Sequence, residues 1–135
     1  MAEVREEGEL GVSAEEAWKV VGDFVGLIEG MGLPVEVEGE GIGQTRKISM
    51  GPAPIIERLE ERDEAAKKIV YSIVEGPLPV SNYVSTMQLS DAGEGRSKLT
   101  WSSTFEPVGD EATAKTIVSG IYDGGIKGLQ GRFGS

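Results

Sequence analysis

From Val35 to Phe105 apolar and polar residues alternate with a period of two, in short runs, and this pattern predicts β-strands. The runs are Val35–Gly39, Gly43–Met50, Pro54–Arg62, Lys67–Glu75, Val80–Ser90 and Ser97–Glu106. Turn-forming residues separate them: Gly39-Glu-Gly41, Gly51-Pro52, Asp63-Glu64 and Asp91-Ala-Gly93-Glu-Gly95. Strands joined by such short turns form an antiparallel meander. An earlier amphipathic stretch, residues 3–12 with Val4, Leu10 and Val12 in phase, predicts a further strand.

At both ends of this β region the pattern becomes helical. Ser13-Ala-Glu-Glu16 reads as a capping box, followed by Ala17, Val20, Val21 and Phe24 at helical spacing and an end between Gly22 and Gly26. A short second helix, Leu27–Met31, is punctured by glycine. The segment from Asp110 to about Gly131 predicts a long helix, with Asp110 and Glu111 in the first turn and Lys127 and Arg132 late, as the helix dipole favours. Ala114, Ile117, Val118, Ile121, Tyr122 and Leu129 form its expected apolar face. A twisted antiparallel sheet of about seven strands curled round one long helix is a two-layer α+β arrangement. Nothing along residues 1–135 marks a linker or repeat, so a single domain is expected.

Composition removes several chemistries. The chain has no cysteine and no histidine, which excludes disulfides, thiolate zinc sites and Ser-His-Asp or Cys-His catalysis. Thirteen Lys and Arg against 23 Asp and Glu give a formal net charge of −10, so nucleic acid is not an expected partner. No apolar run reaches the ~20 residues of a membrane span, and an acidic N-terminus without signal character predicts cytoplasmic residence. The acidic clusters Glu3–Glu9, Glu36–Glu38 and Glu60–Glu64 have no geometry that would fix metal ligands, and Gly39–Gly43 fits no nucleotide-binding loop. Neither metal nor cofactor is expected.

Candidate chemistry lies on the inner sheet face. Tyr71 and Ile73 share a phase; so do Tyr83, Ser85 and Met87, and Leu99, Trp101, Ser103 and Phe105. Such mixtures of aromatics with hydroxyls and a thioether suit either a filled core or a pocket for a small ligand. Gly124, Gly125 and Gly128 on the last helix read either as sites of close helix–sheet contact or fraying, or as a slim face leaving room for a ligand. A hairpin turning at Gly51-Pro52 pairs Ile48 with Ile55 and Arg46 with Glu57, setting a guanidinium beside a carboxylate on the inner face. The opposite phase, with Ile56, Arg58 and Glu60 inward, would put Glu57 in water. Between Tyr71 and Tyr83 a stiff Gly-Pro-Leu-Pro connection carries Leu78 at its tip, placed to cover the mouth of a hollow or simply to join two strands.

The Tyr71–Tyr83 run, Glu36-Val-Glu-Gly-Glu-Gly-Ile-Gly43 and Pro54-Ile-Ile-Glu-Arg-Leu-Glu60 resemble the polyketide cyclase/dehydrase-like branch of the START and birch-pollen-allergen superfamily, and the order from Glu3 to Phe133 fits throughout. Gly30-Met-Gly-Leu-Pro34 departs from the family pattern. The resemblance implies a helix-grip fold with a cavity between sheet and C-terminal helix for a hydrophobic or polyaromatic small molecule, held by a carrier, sequestering protein or sensor. It makes Ile55, Glu57, Tyr71, Ile73, Leu78, Val80, Tyr83, Ser85, Met87, Trp101, Ser103, Ile117 and Ile121 the expected ligand-binding residues, with Trp101 facing Ile117 and Ile121. Two alternatives follow from the same resemblance. One is an enzyme promoting aldol cyclisation or dehydration, with Glu57 as base, Arg46 or Tyr83 stabilising an enolate and Tyr71 as donor. The other is a ligand-gated interaction module whose lids are the Ser49–Ala53 and Glu75–Val80 loops. An ordinary glutamate, with a pKa of about 4.3, is a poor base for carbon acids, and a neighbouring arginine is expected to depress it further. Binding therefore leads over catalysis.

Overall fold

Alternation along the chain becomes a seven-stranded antiparallel sheet in the computed structural model, which describes residues 1–49, 51 and 53–135. The elements are β1 (Ala2–Leu10), α1 (Ala14–Val21), α2 (Gly26–Gly30), β2 (Val35–Glu38), β3 (Thr45–Ile48), β4 (Ile55–Asp63), β5 (Lys68–Glu75), β6 (Val80–Asp91), β7 (Ser97–Pro107) and α3 (Glu111–Phe133). Strands β2 to β7 follow one another as a meander, and β1 closes the far edge against β7, giving the order β1-β7-β6-β5-β4-β3-β2. Met50 and Pro52 lie outside the described residues, so the expected end of the second strand run and the Gly51-Pro52 turn are not traced. The architecture is the α+β helix grip, with the sheet curved round α3.

Local chemistry fixes the helix ends. Asp110 caps α3, its carboxylate accepting from the Thr113 N–H at 2.8 Å and the Thr113 hydroxyl at 2.7 Å. At α1 only half of the expected capping box forms. Ser13 Oγ accepts from the Glu16 N–H at 3.2 Å, whereas the Glu16 carboxylate accepts from Lys19 Nζ at 2.9 Å.

Ala114, Val118, Tyr122, Ile126 and Leu129 are the buried stripe of α3. Ile117 is 38% exposed, contrary to expectation, and Ile126 takes the inward place. The helix geometry explains the difference: at ~100° per residue, Ile117 lies a quarter-turn round from Val118, on a flank rather than beneath the axis. The core between sheet and α3 centres on Tyr122, Phe105, Leu10, Met87 and Leu99, all fully buried.

Three irregularities bend the sheet. The β4–β5 register shifts between Ile56 and Glu57 and again between Leu59 and Glu61, and the β6–β7 register between Ser81 and Val84, beside Asn82 at a φ of 52°. Pairing of β5 with β6 stops at Ser72 and Val84, so Ile73–Glu75 and Val80–Tyr83 diverge. A slot of ≈ 610 Å³ opens between them.

Candidate functional site

Strand β3 pairs with β4 in the register that sets Ile48 opposite Ile55 and Arg46 opposite Glu57. Both charged side chains are buried, Arg46 at 3% and Glu57 at 8% exposure. A buried cation needs full compensation, and Arg46 has it. Nε and Nη2 approach Glu57 Oε1 at 2.8 and 2.7 Å, and Nη1 donates to the Phe24 carbonyl. Its guanidinium also lies 3.9 Å from the Phe24 ring centroid and 5.0 Å from that of Tyr71. Burial pushes the Glu57 carboxyl above its ordinary range, and the opposing pull of Arg46 does not reverse it. The expectation that arginine would dominate is therefore overturned, because the carboxyl sits among apolar walls where its charged form is poorly solvated.

Behind the pair lies a cluster of hydroxyls and one indole. Trp101 Nε1 donates to Tyr71 Oη (3.1 Å) and Ser85 Oγ (3.0 Å), and Ser85 Oγ donates to the Ser102 carbonyl at 3.1 Å. Tyr122 Oη hydrogen-bonds Ser85 Oγ at 3.0 Å and also Tyr83 Oη. The Trp101 ring stacks on Tyr122, with centroids 4.5 Å apart and planes 16° from parallel. Burial raises the pKa of all three tyrosines, which keeps them as neutral phenols.

The enclosed space beside these groups is about 70 Å³, walled by Leu27, Ile28, Met31, Leu33, Arg46, Ile48, Ile55, Glu57, Tyr71, Ile73, Leu78, Tyr83, Trp101 and Ile121. Of the residues expected from sequence, Ile55, Glu57, Arg46, Tyr71, Ile73, Leu78, Tyr83, Trp101 and Ile121 meet there. Five do not. Ser85, Met87 and Ser103 face inward but are packed within the core, beyond the cavity wall. Val80 lines the β5–β6 slot, carried there by the divergence of the strands. Ile117 faces outward, so Trp101 meets Tyr122 and Ile121 on α3. The walls missed from sequence are Leu27, Ile28, Met31, Leu33 and Ile48. The apolar pattern of Leu27, Ile28 and Met31 was the available signal, obscured by the surrounding glycines.

The glycine expectation divides. A Cβ on Gly125 would come within 2.5 Å of Trp101 Cζ3, so this position serves close helix–sheet contact. Gly124 and Gly128 face open space, as does Gly120, and together they edge a groove of ≈ 570 Å³ between α2 and α3. Leu27, Met31, Leu33 and Ile121 separate this groove from the inner cavity and line both. Among the described residues no cluster of carboxylates is arranged to hold a metal ion, and no helix is long and apolar enough to cross a membrane.

A curved sheet gripping a C-terminal helix, with an apolar cavity and a few buried polar groups between them, defines a ligand-binding domain of the helix-grip class. Residues 1–134 match the family described as polyketide cyclase/dehydrase and lipid transport, and the chain belongs to that family. Among curated proteins no sequence matches it. Solved structures similar to it include an uncharacterised protein of Bacillus thuringiensis, at 34% identity, covering 98% of each chain with a TM-score of 0.87. The protein XoxI of Bacillus cereus is 33% identical over 98% of this chain and 96% of its own, with a TM-score of 0.90. Norcoclaurine synthase of Thalictrum flavum, solved with dopamine and hydroxybenzaldehyde, shares the fold at 16% identity, covering 95% and 83% of the two chains with a TM-score of 0.76.

Proposed function

We propose that this protein binds a hydrophobic or polyaromatic small molecule between the sheet and α3, as a carrier, sequestering protein or sensor. The observation that carries the reading is the cavity beside the Arg46–Glu57 pair, apolar in most of its wall and sharing Leu27, Met31, Leu33 and Ile121 with the neighbouring α2–α3 groove. A buried ion pair is a poor way to gain stability and a good way to present fixed polar groups to a ligand. The test uses the two tryptophans. Replacing Trp18 by Phe leaves Trp101, a wall of the cavity, as the sole indole. Titration with flavonoids and polyaromatic phenols should then quench or shift its emission saturably, and native mass spectrometry of protein from its host should reveal the bound molecule. An unchanged emission across a chemically broad panel refutes the reading.

A second reading, a cyclase/dehydrase-like enzyme, is favoured by one observation. The Glu57 pKa is raised, which moves the carboxyl toward the range where a general base operates near neutrality. The two readings part at Glu57→Gln: an enzyme loses turnover of a poly-β-carbonyl substrate, whereas a pure binder has no turnover to lose.

A further inference from the structure

The cavity's polar atoms differ in what they have left to offer. Arg46 directs Nε and Nη2 to the same carboxylate oxygen, Glu57 Oε1, and gives Nη1 to the Phe24 carbonyl. Glu57 Oε2 has no hydrogen-bond partner among the described residues, although Glu57 is only 8% exposed and forms part of the cavity wall. Tyr71 presents the converse. The Trp101 Nε1–H can only donate, so Tyr71 Oη accepts from it and keeps its own proton, while the neighbouring Ser85 Oγ is already engaged with Trp101, Tyr122 and the Ser102 carbonyl. Tyr83 and Trp101, the remaining uncharged polar walls, are already bonded to Tyr122, Tyr71 and Ser85. One acceptor and one donor are thus unspent, in a wall that is otherwise apolar.

We propose that the cavity takes a neutral hydroxyl, an alcohol or a phenol, which donates to Glu57 Oε2 and accepts from Tyr71 Oη while the ligand's apolar body extends into the α2–α3 groove. This rests on the ligand-binding reading above. Charge selects against the alternatives. Arg46 and Glu57 already cancel, so an ammonium or carboxylate would bring an uncompensated charge into a site withdrawn from water. Volume sets the orientation. The inner cavity, about 70 Å³, is far smaller than the groove beside it, so it admits the polar end of a ligand and not its body. The rest of the molecule needs the ≈ 570 Å³ beyond Met31. Met31 is unbranched, 39% exposed and common to both spaces, so it is a wall that can move. On the far side of the groove Gly120, Gly124 and Gly128 present no side chain.

The test is isothermal calorimetry on the full chain with five molecules that share one fused-ring body: naphthol, its methyl ether, naphthalene, naphthoate and naphthylmethylammonium. The expected result is naphthol binding at least about tenfold tighter than each of the others, the scale of one hydrogen bond to a charged group. Saturable binding with less than that preference for naphthol over its methyl ether overturns the hydroxyl proposal and leaves the apolar binding site standing. No saturable binding of any of the five overturns the binding reading and this inference with it. In Glu57→Gln the amide can donate where the carboxylate accepted, so the preference should collapse toward the methyl ether. Should that variant not fold, Tyr71→Phe replaces it and should weaken naphthol about tenfold; unchanged naphthol affinity in a folded variant removes the assigned contact and overturns the proposal.

Discussion

Adding one methyl group to α3 should have opposite effects at neighbouring glycines. A Cβ on Gly124 or Gly128 meets no atom within 4 Å, and both positions lie well inside the helix. Alanine exceeds glycine in a helix interior by about 0.8–1 kcal/mol, so Gly124→Ala and Gly128→Ala should each stabilise the fold by about that amount. At Gly125 the same gain meets a contact of 2.5 Å to Trp101 Cζ3 and 3.1 Å to Cη2. The indole cannot swing away freely, because it is stacked on Tyr122 and its Nε1 is bonded to Tyr71 and Ser85. Overpacking of this kind costs about 1–3 kcal/mol, so Gly125→Ala should be net destabilising, by up to about 2 kcal/mol. Urea unfolding followed by circular dichroism measures all three, and a midpoint shift at constant slope assigns the change to stability. In a Trp18→Phe background, Gly125→Ala should also move the Trp101 emission while the other two leave it in place. If Gly125→Ala stabilised the protein as Gly124→Ala does, α3 would not be seated against Trp101 as described, and the division of the glycines between contact and groove would be wrong.

Three further outcomes follow from the site. Glu57→Ala strands a buried Arg46 and should cost about 3–5 kcal/mol, against no more than about 0.5 kcal/mol for Arg58→Ala on the exposed face; equal costs in denaturant titration would refute the buried pair. A carboxyl whose pKa is raised on folding binds more protons folded than unfolded, so the Glu57 contribution is complete below the unfolded value of about 4.3 and is lost as pH climbs through the folded value. The stability of wild type relative to Glu57→Gln should therefore fall with rising pH across that window, and a rising difference would reverse the assigned cause. The loop following β5, with Leu78 against the cavity, should exchange its amide hydrogens faster without ligand than with it, and equal protection in both states would make it a structural hairpin.

Much of the fold was legible because strand alternation and turn residues are local signals. The Arg46–Glu57 pairing could be read as soon as β3 and β4 were taken as a tight hairpin, since register follows from turn length. The rotation of α3 was harder to read. Glycines at 120, 124, 125 and 128 leave few apolar residues to fix its angle, and Ile117 and Ile126 exchanged roles. Bulges have no comparable signature, so nothing marked the divergence of β5 and β6 that carries Val80 away from the cavity. An inward phase gave the side of the sheet for Ser85, Met87 and Ser103 but not their place along the core. The sign of the Glu57 shift depended on depth of burial, which a sequence does not state.

The location of the free volume follows from the aromatic cluster. Tyr71, Tyr83, Trp101 and Tyr122 are tied to one another and to Ser85 by hydrogen bonds and a ring stack, so the middle of the sheet–helix interface is filled and each ring is held from more than one side. Such a network resists rearrangement, because breaking any link leaves a buried polar group unpaired. Among the described residues the enclosed space lies toward the end where β3, β4 and α2 converge, and its polar walls are the ion pair with Tyr71, Tyr83 and Trp101. Helix α2 is five residues long, and Asp23 Oδ1 accepts from the Gly26 N–H at its start, but its packing rests on Leu27 and Ile28 alone. A ligand whose bulk exceeds the inner cavity is therefore expected to displace Met31, Leu33 and α2, not the sheet. The expected conformational change on binding is an outward shift of residues 26–33, with the Arg46 guanidinium kept in place by Phe24 and Glu57.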